Sequence, residues 1–386
     1  MKTKFKTLKL NIIFILFILA LLTSIFAYTQ KGEFFNLENQ SKIEKVLYNK
    51  KEDILYNEES NNLKKEFEVK EKSLSVLMVG DIMTDRYIRK QINREGNAEN
   101  FVKNYLNNLP EVNKNYDYVV ANLEGPITEN KSKTLNADGT YGKDLLFTFP
   151  TSTTQILNLL NIKIVSLANN HTDNFYHTGY ESTKKFLQES NIKYFGNPYN
   201  TSSKVNNIDA EKYDHKENNI NSSENLSEIF CQKEICVAYI GYNQFTKNNN
   251  SELIIKEIER LKSGVDFIII MPHWGEEYEK QANQNQEKLA RAWIDAGADA
   301  VIGSHPHVIQ NHEAYKDKHI FYSLGNYIFD QWFKPDVQNG LGVNIIFEKI
   351  SIGKEDDTEY KVEKSMSIKE DNNKNIFIDR NGVRYK

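Results

Sequence analysis

Cysteine is scarce and a long basic run is missing altogether. Cys231 and Cys236 are the only two cysteines among 386 residues, and neither has a helper residue beside it in the sequence. A catalytic thiol is therefore not indicated, and with no cysteine directly following the N-terminal apolar run a lipid-modified N-terminus is not expected. The formal net charge is −4, and the lysines and arginines form no stripe. Nucleic acid is accordingly not an expected partner. The chain does not lack aromatic residues: 21 Tyr and 21 Phe, with 39% hydrophobic residues, supply a sizeable core and exclude a disordered protein. This length suits one large domain with accessory segments.

Charge, proline and glycine are all absent from residues 10–27, LNIIFILFILALLTSIFA. As a helix this run approaches the roughly 30 Å hydrocarbon thickness of a bilayer. Lys2, Lys4, Lys6 and Lys9 precede it. They would stay cytoplasmic and send the rest of the chain outside. The competing reading is a signal peptide cleaved after Ala27. The run is longer than a usual signal core and has no small residue at the third position before the cut, which favours a single-pass anchor in the cell membrane with an extracellular domain. Residues 1–28 are then cytoplasmic tip and anchor, 29–72 a charged stalk, 73–335 the main domain, and 336–386 a strand-rich extension of it. The Asn-, Ser-, Lys- and Glu-rich stretch 197–230 reads as a surface insertion.

The cysteines lie in IFCQKEICVAYIGY. If Lys233 and Glu234 make a two-residue turn, Gln232 pairs with Ile235 and the cysteines face each other where cross-strand side chains approach most closely. A disulfide would form there outside a cell. Lys-Glu is a poor primed turn, so two free thiols stand as the equal alternative.

From residue 74 short β-rich runs alternate with amphipathic stretches, the pattern of an α/β domain. Strands are expected at 75–79, 116–121, 163–167, 235–241, 267–271, 300–303 and 319–324. Helices are expected at 151–160, 179–190, 252–261 and 283–296. In the tail, 341–348, 360–365 and 376–379 read as strands that extend or edge a sheet. Almost every apolar run ends in a polar motif, and in α/β folds ligands bind at the carboxyl ends of strands. Singly these motifs have plain structural readings: Asp81 as a helix cap, Asn122 and Glu124 as a turn, Asn169-Asn170-His171 as an Asx turn. His305-Pro306-His307 is more specific, because a proline-stiffened extended segment would set both imidazoles on one face. Together, carboxylates, amides and imidazoles suit Mn, Fe, Zn or Mg, as one ion or two, better than Cu(I) or an iron–sulfur cluster.

The motifs GDIMTDR (80–86), NLEGPIT (122–128), LANNHTDNFYHTG (167–179), HWGEEY (273–278), GADAVIGSHPHVIQ (297–310) and YSLGNYIFD (322–330) occur in that order. Across roughly residues 74–332 they resemble the capsule-synthesis CapA (poly-γ-glutamate biosynthesis) family, which is similar to calcineurin-like metallophosphoesterases. The resemblance implies a four-layer α/β/β/α sandwich with divalent metals between the sheets. It implies Asp81, Glu124, Asn170, His273, His305 and His307 as ligands, with Glu124 bridging, and Met83 where an imidazole is expected. His171 would be a catalytic acid oriented by Asp173, and Asn122, Asn169, Glu277 and Asn326 would contact substrate. The implied partners are poly-γ-glutamate or a similar anionic polymer and membrane-bound synthetase subunits. Two roles follow: a non-hydrolytic component of polymer synthesis or export, or a metal-dependent hydrolase.

Overall fold

A computed structural model describes residues 67–134, 145–199, 226–246, 251–354, 361–368 and 374–385. The N-terminal apolar run, the stalk up to residue 66 and most of the 197–230 insertion lie outside the described residues. Among the described residues, no helix is long and apolar enough to cross a membrane.

The elements run β1 (Phe67–Ile82), α1 (Arg86–Glu95), α2 (Ala98–Tyr105), α3 (Leu109–Asn113), β2 (Tyr118–Leu123), α4 (Thr153–Leu159), β3 (Ile162–Ser166), α5 (Tyr176–Glu189) and β4 (Lys193–Phe195). They continue with β5 (Ser227–Gln232), β6 (Ile235–Asn243), α6 (Glu252–Leu261), β7 (Phe267–His273), α7 (Gln284–Ala296), β8 (Ala300–Ile302), β9 (His312–Tyr315), β10 (Lys318–Phe321) and β11 (Asn326–Ile328). The chain closes with β12 (Asn339–Lys354), β13 (Lys361–Ile368), β14 (Lys374–Asp379) and β15 (Gly382–Tyr385). One sheet has the order β15-β14-β12-β1-β2-β3-β4, with β11 on β1 and β13 on β12; the other has the order β5-β6-β7-β8-β10-β9.

Side-chain alternation builds the layers. In β1, Leu74, Val76 and Met78 enter a core shared by both sheets, whereas Leu77 and Val79 pack against helices. In β7, Phe267, Ile269 and Met271 face the shared core and Ile268 and Ile270 face α6 and α7. A period of two divides each buried strand between two apolar faces, so two sheets lie between two helical layers. Within the shared core the Tyr118 and Tyr239 hydroxyls, one from each sheet, bond at 2.8 Å. That contact satisfies two polar atoms that would otherwise be stranded.

Local chemistry sets the boundaries. Asn283 and Gln286 form a reciprocal capping box that starts α7. Lys233 and Glu234 adopt φ of 52° and 63°. This is a primed turn despite the unfavourable residue pair, and it sets Cys231 opposite Cys236, which form a disulfide. Two differences from the expected layout stand out. β1 begins at Phe67, inside the segment expected to be stalk. The C-terminal segment does more than edge a sheet, because β12 lies between β1 and β14 as an interior strand.

Candidate metal centre

The first sheet brings Asp81 to the end of β1, Asn122 to the end of β2, and Asn169, Asn170 and His171 to the loop after β3. The second brings His273 to the end of β7 and Ser304, His305 and His307 to the loop after β8. The strands within each set are parallel, so their carboxyl ends emerge together. A register shift between Met78 and Asp81 reverses the alternation of β1. Asp81 therefore turns towards the second sheet while Ile82 joins the helix-side core. Gly80 permits the shift, since a Cβ there would overlap the Gly325 carbonyl at β11.

Contacts across the two sheets are short. His273 Nε2 lies 2.8 Å from Asn170 Oδ1, 3.2 Å from His305 Nδ1 and 3.8 Å from Glu124 Oε1. The His305 backbone N–H donates to Asp81 Oδ2 at 3.3 Å. His307 Nδ1 faces Asp81 Oδ2 at 3.3 Å, and its Nε2 faces Glu124 Oε1 at 3.6 Å. Donor atoms of Glu124, His273 and His305 all fall within 4.8 Å of one another, as do those of Asp81, Glu124 and His307, with Glu124 common to both sets.

The electrostatics call for a cation. Both carboxylate oxygens of Glu124 are buried without a hydrogen-bond partner. Burial holds its carboxyl well above the usual range, and the nearby His307 only partly offsets this. Burial, together with neighbouring imidazoles, lowers His273 well below its ordinary value and His305 to about 3. Both rings are thus neutral, each with one lone pair. His273 Nδ1 reaches Ser304 Oγ at 3.0 Å, and that hydroxyl is directed at Pro272 O at 3.4 Å. Nδ1 also lies 3.3 Å from Asn122 Nδ2, and these contacts orient the ring with its Nε2 facing the other three donors. Atoms bound at about 2.1 Å to one ion lie about 3.0–3.4 Å apart, close to the spacing seen. The residues present fit a divalent metal.

His307 differs. Burial works against its charge, but the Glu124 and Asp81 carboxylates outweigh that, and the ring is pushed up to about 9. Its Nδ1 also meets Asn326 Oδ1 at 3.0 Å.

All six expected ligands gather here, but by a different backbone than expected. His305 and His307 are not extended: they sit at φ of 97° and 57° in a bend, with ring centroids 6.0 Å apart. Left-handed backbone at two non-glycine residues stores about 1–3 kcal/mol each and marks a site held by its surroundings. Asp173 is not what holds His171. The His171 Nδ1 partner is Asn174 Oδ1 at 3.1 Å, and burial lowers the ring to about 4. Three of the four expected substrate contacts are likewise corrected. Asn122, Asn169 and Asn326 are fully buried and tie the ligands in place, leaving no face open to a substrate. Glu277 alone is exposed, where its charge acts on Glu124 and His307.

Sequence reasoning overlooked Arg86 and Phe245. Arg86, at φ 50°, pairs with the buried Asp330 and lies 5.3 Å over the Phe147 ring, which stands 4.3 Å from the His171 ring. Its charge acts on Glu124 and His171. Phe245 lies with its ring centroid 4.2 Å from His305 and is 42% exposed, so it forms part of the mouth. The arginine ending the motif GDIMTDR was the available signal for the first; the second carried none.

Two relatives match over much of this chain. A protein described as "Capsule biosynthesis protein CapA" from Bacillus anthracis is 33% identical over 67% of this chain and 60% of its own length. One described as "PGA biosynthesis protein CapA" from Bacillus subtilis is 29% identical over 67% of this chain and 64% of its own length. The match thus spans less than two thirds of either relative. Among solved structures, Haemophilus influenzae NAD nucleotidase aligns with a TM-score of 0.40 at 12% identity, over 77% of this chain and 55% of that one. Residues 75–331 match the family described as "Bacterial capsule synthesis protein PGA_cap", and with the ordered motifs converging on one buried cluster the chain belongs to that family.

Proposed function

We propose that this protein is a membrane-anchored, extracellular component of poly-γ-glutamate capsule synthesis or export, which binds the polymer at a metal-holding cleft in a metallophosphoesterase-like sandwich. Family membership supports the capsule role. The apolar run behind four lysines supports the anchor. The observation that carries the reading is Glu124, a fully buried carboxylate with no hydrogen-bond partner, set between the neutral His273 ring at 3.8 Å and the His307 ring at 3.6 Å, which is pushed up to about 9. Glu124, Asn170, His273 and His305 would hold the ion. When bound, it supplies positive charge in a chain that is acidic overall, and so a means of attracting a polyanion. Asn122 and Asn169 fix the ligand loops, Ser304 helps orient the His273 ring, and Phe245 shields His305.

Binding is favoured over hydrolysis by the state of His171. An acid catalyst needs a proton to give at working pH. The His171 ring, at about 4, is neutral there, and its partner is an amide that cannot stabilise an imidazolium as a carboxylate would. A second reading, a metal-dependent phosphoesterase or γ-glutamyl or cell-wall amidase, draws on His171 lying next to the ligand Asn170 at the mouth. The test is calorimetric titration of the full chain in detergent with poly-γ-glutamate, before and after EDTA, alongside an assay on an aryl phosphate and the polymer. Binding that EDTA abolishes, without turnover, is expected. Turnover lost in His171→Ala at unchanged metal content would replace this reading with the hydrolase.

A further inference from the structure

We infer that the cleft receives the amino-terminal end of a γ-linked glutamate polymer, with the terminal ammonium at Glu277, and not an internal stretch of that polymer. The inference rests on the polymer-binding reading above and deepens it.

Charge around the cleft changes with depth. At the floor, Glu124 is buried with both carboxylate oxygens lacking a hydrogen-bond partner, and such a group calls for a cation. Further out the walls are apolar. Phe245, 42% exposed, has its ring centroid 4.2 Å from that of His305. Phe333, 59% exposed, stands edge-on to Tyr278 at 5.4 Å, and the Tyr278 ring is 6.3 Å from that of His307. Beyond the rings the charge is negative. Glu276, Glu277 and Glu279 are exposed on one short segment, and the charge of Glu277 acts on both Glu124 and His307, which sets its carboxylate at the opening. The Tyr278 hydroxyl accepts from Gln331 Nε2 at 3.4 Å and bonds to the Glu277 side chain, which helps to fix it there.

The cations nearby form no track along which a polyanion could lie. Lys280 is paired with Asp336 at 2.7 Å and Arg86 with the buried Asp330, while Lys334 lies over the Tyr278 ring at 5.4 Å. A poly-γ-glutamate chain carries one α-carboxylate on every residue and a single cation, the α-ammonium of its first residue. An internal stretch laid across this opening would set successive carboxylates against aromatic rings and glutamates, with nothing to replace the water they give up. The first residue meets each level with a matching group. Its α-carboxylate points inward to the ion held there, its ammonium meets Glu277, and its two side-chain methylenes lie against the aromatic rim. The remaining polymer leaves through the γ-amide towards solvent.

The experiment is calorimetric titration of the full chain in detergent with a short γ-linked glutamate oligomer and with a much longer polymer. Each is used with a free and with an acetylated amino end, on the unaltered protein and on Glu277→Gln. One protein per polymer chain, and the same affinity per polymer chain at both lengths, is expected. Acetylation and Glu277→Gln should each weaken binding about two- to fivefold, the worth of an exposed ion pair. Acetylation should weaken binding to Glu277→Gln no further, because the two changes remove one contact. Several proteins on each long polymer, with affinity per polymer chain rising with length, overturns the inference and leaves the polymer-binding reading intact. Binding indifferent to acetylation also overturns it, as does an undiminished effect of acetylation in Glu277→Gln. No binding of either ligand to the unaltered protein removes both the inference and the reading beneath it.

Discussion

Replacing Asn169 with alanine tests whether the donor cluster is held by buried amides. Asn169 is fully buried and donates to Asn122 Oδ1 at 3.1 Å and to Leu123 O at 2.8 Å. Its Oδ1 accepts from the His171 N–H at 3.1 Å, the Thr172 N–H at 2.9 Å and the Thr172 hydroxyl at 2.8 Å. In Asn169→Ala the Thr172 hydroxyl can rotate and the half-exposed His171 amide can meet water. The Thr172 N–H and Asn122 Oδ1 are left buried and unpaired, while the Leu123 carbonyl keeps the Gly125 N–H at 3.0 Å. At about 1–3 kcal/mol for each of the two stranded groups, with partial relaxation, the loss is about 2–4 kcal/mol. For a domain of this size that lowers Tm by roughly 3–6 °C, read by thermal unfolding monitored by circular dichroism. Asn169→Asp should be as harmful, since a carboxylate keeps the acceptors but sets negative charge against two carbonyl oxygens. A Tm within about 2 °C of the parent for both variants would refute the reasoning.

Other perturbations reach different parts of the molecule. Arg86→Met removes the counter-charge of the buried Asp330 carboxylate, which keeps the Tyr87 N–H at 2.9 Å, and should cost about 3–5 kcal/mol in chemical denaturation, with Asp330→Asn in the same chain restoring a large part. If the double variant is no more stable than the single one, the pair is not coupled. Gly303→Ala would drive a Cβ into the Tyr322 carbonyl and against Trp274 Nε1, so loss of soluble folded protein is expected; normal expression and Tm would contradict the packing. Reducing Cys231–Cys236, at the opposite end of β6 from the cluster, should lower stability by no more than about 2 kcal/mol, because the closed loop is short. Metal content measured before and after dithiothreitol should be the same.

The legible parts of the fold were those where local pattern and tertiary demand agree. α6 spans the residues its periodicity marks, and α7 begins one residue after its capping asparagine. The buried strands of both sheets are apolar runs whose ends carry the site motifs. Helices α2 and α3 were not legible, being one to two turns each. Isolated helices that short lack intrinsic stability and persist through packing, here of Phe101, Leu106 and Leu109 into the helix-side core. The Cys231–Cys236 pairing was undecided because Lys-Glu has no preference for the turn it adopts.

The sequence by itself determined which residue types meet at the strand ends and which core each strand serves, because a period of two and a run of apolar side chains act locally. Only the tertiary structure decided how those groups face one another. The shift at Gly80 turned Asp81 inward, the left-handed backbone at His305 and His307 parted two rings that an extended segment would have aligned, and Asn174 took the place beside His171 expected of Asp173. Those outcomes depend on contacts between residues far apart in the chain, and spacing along one segment carries no information about them.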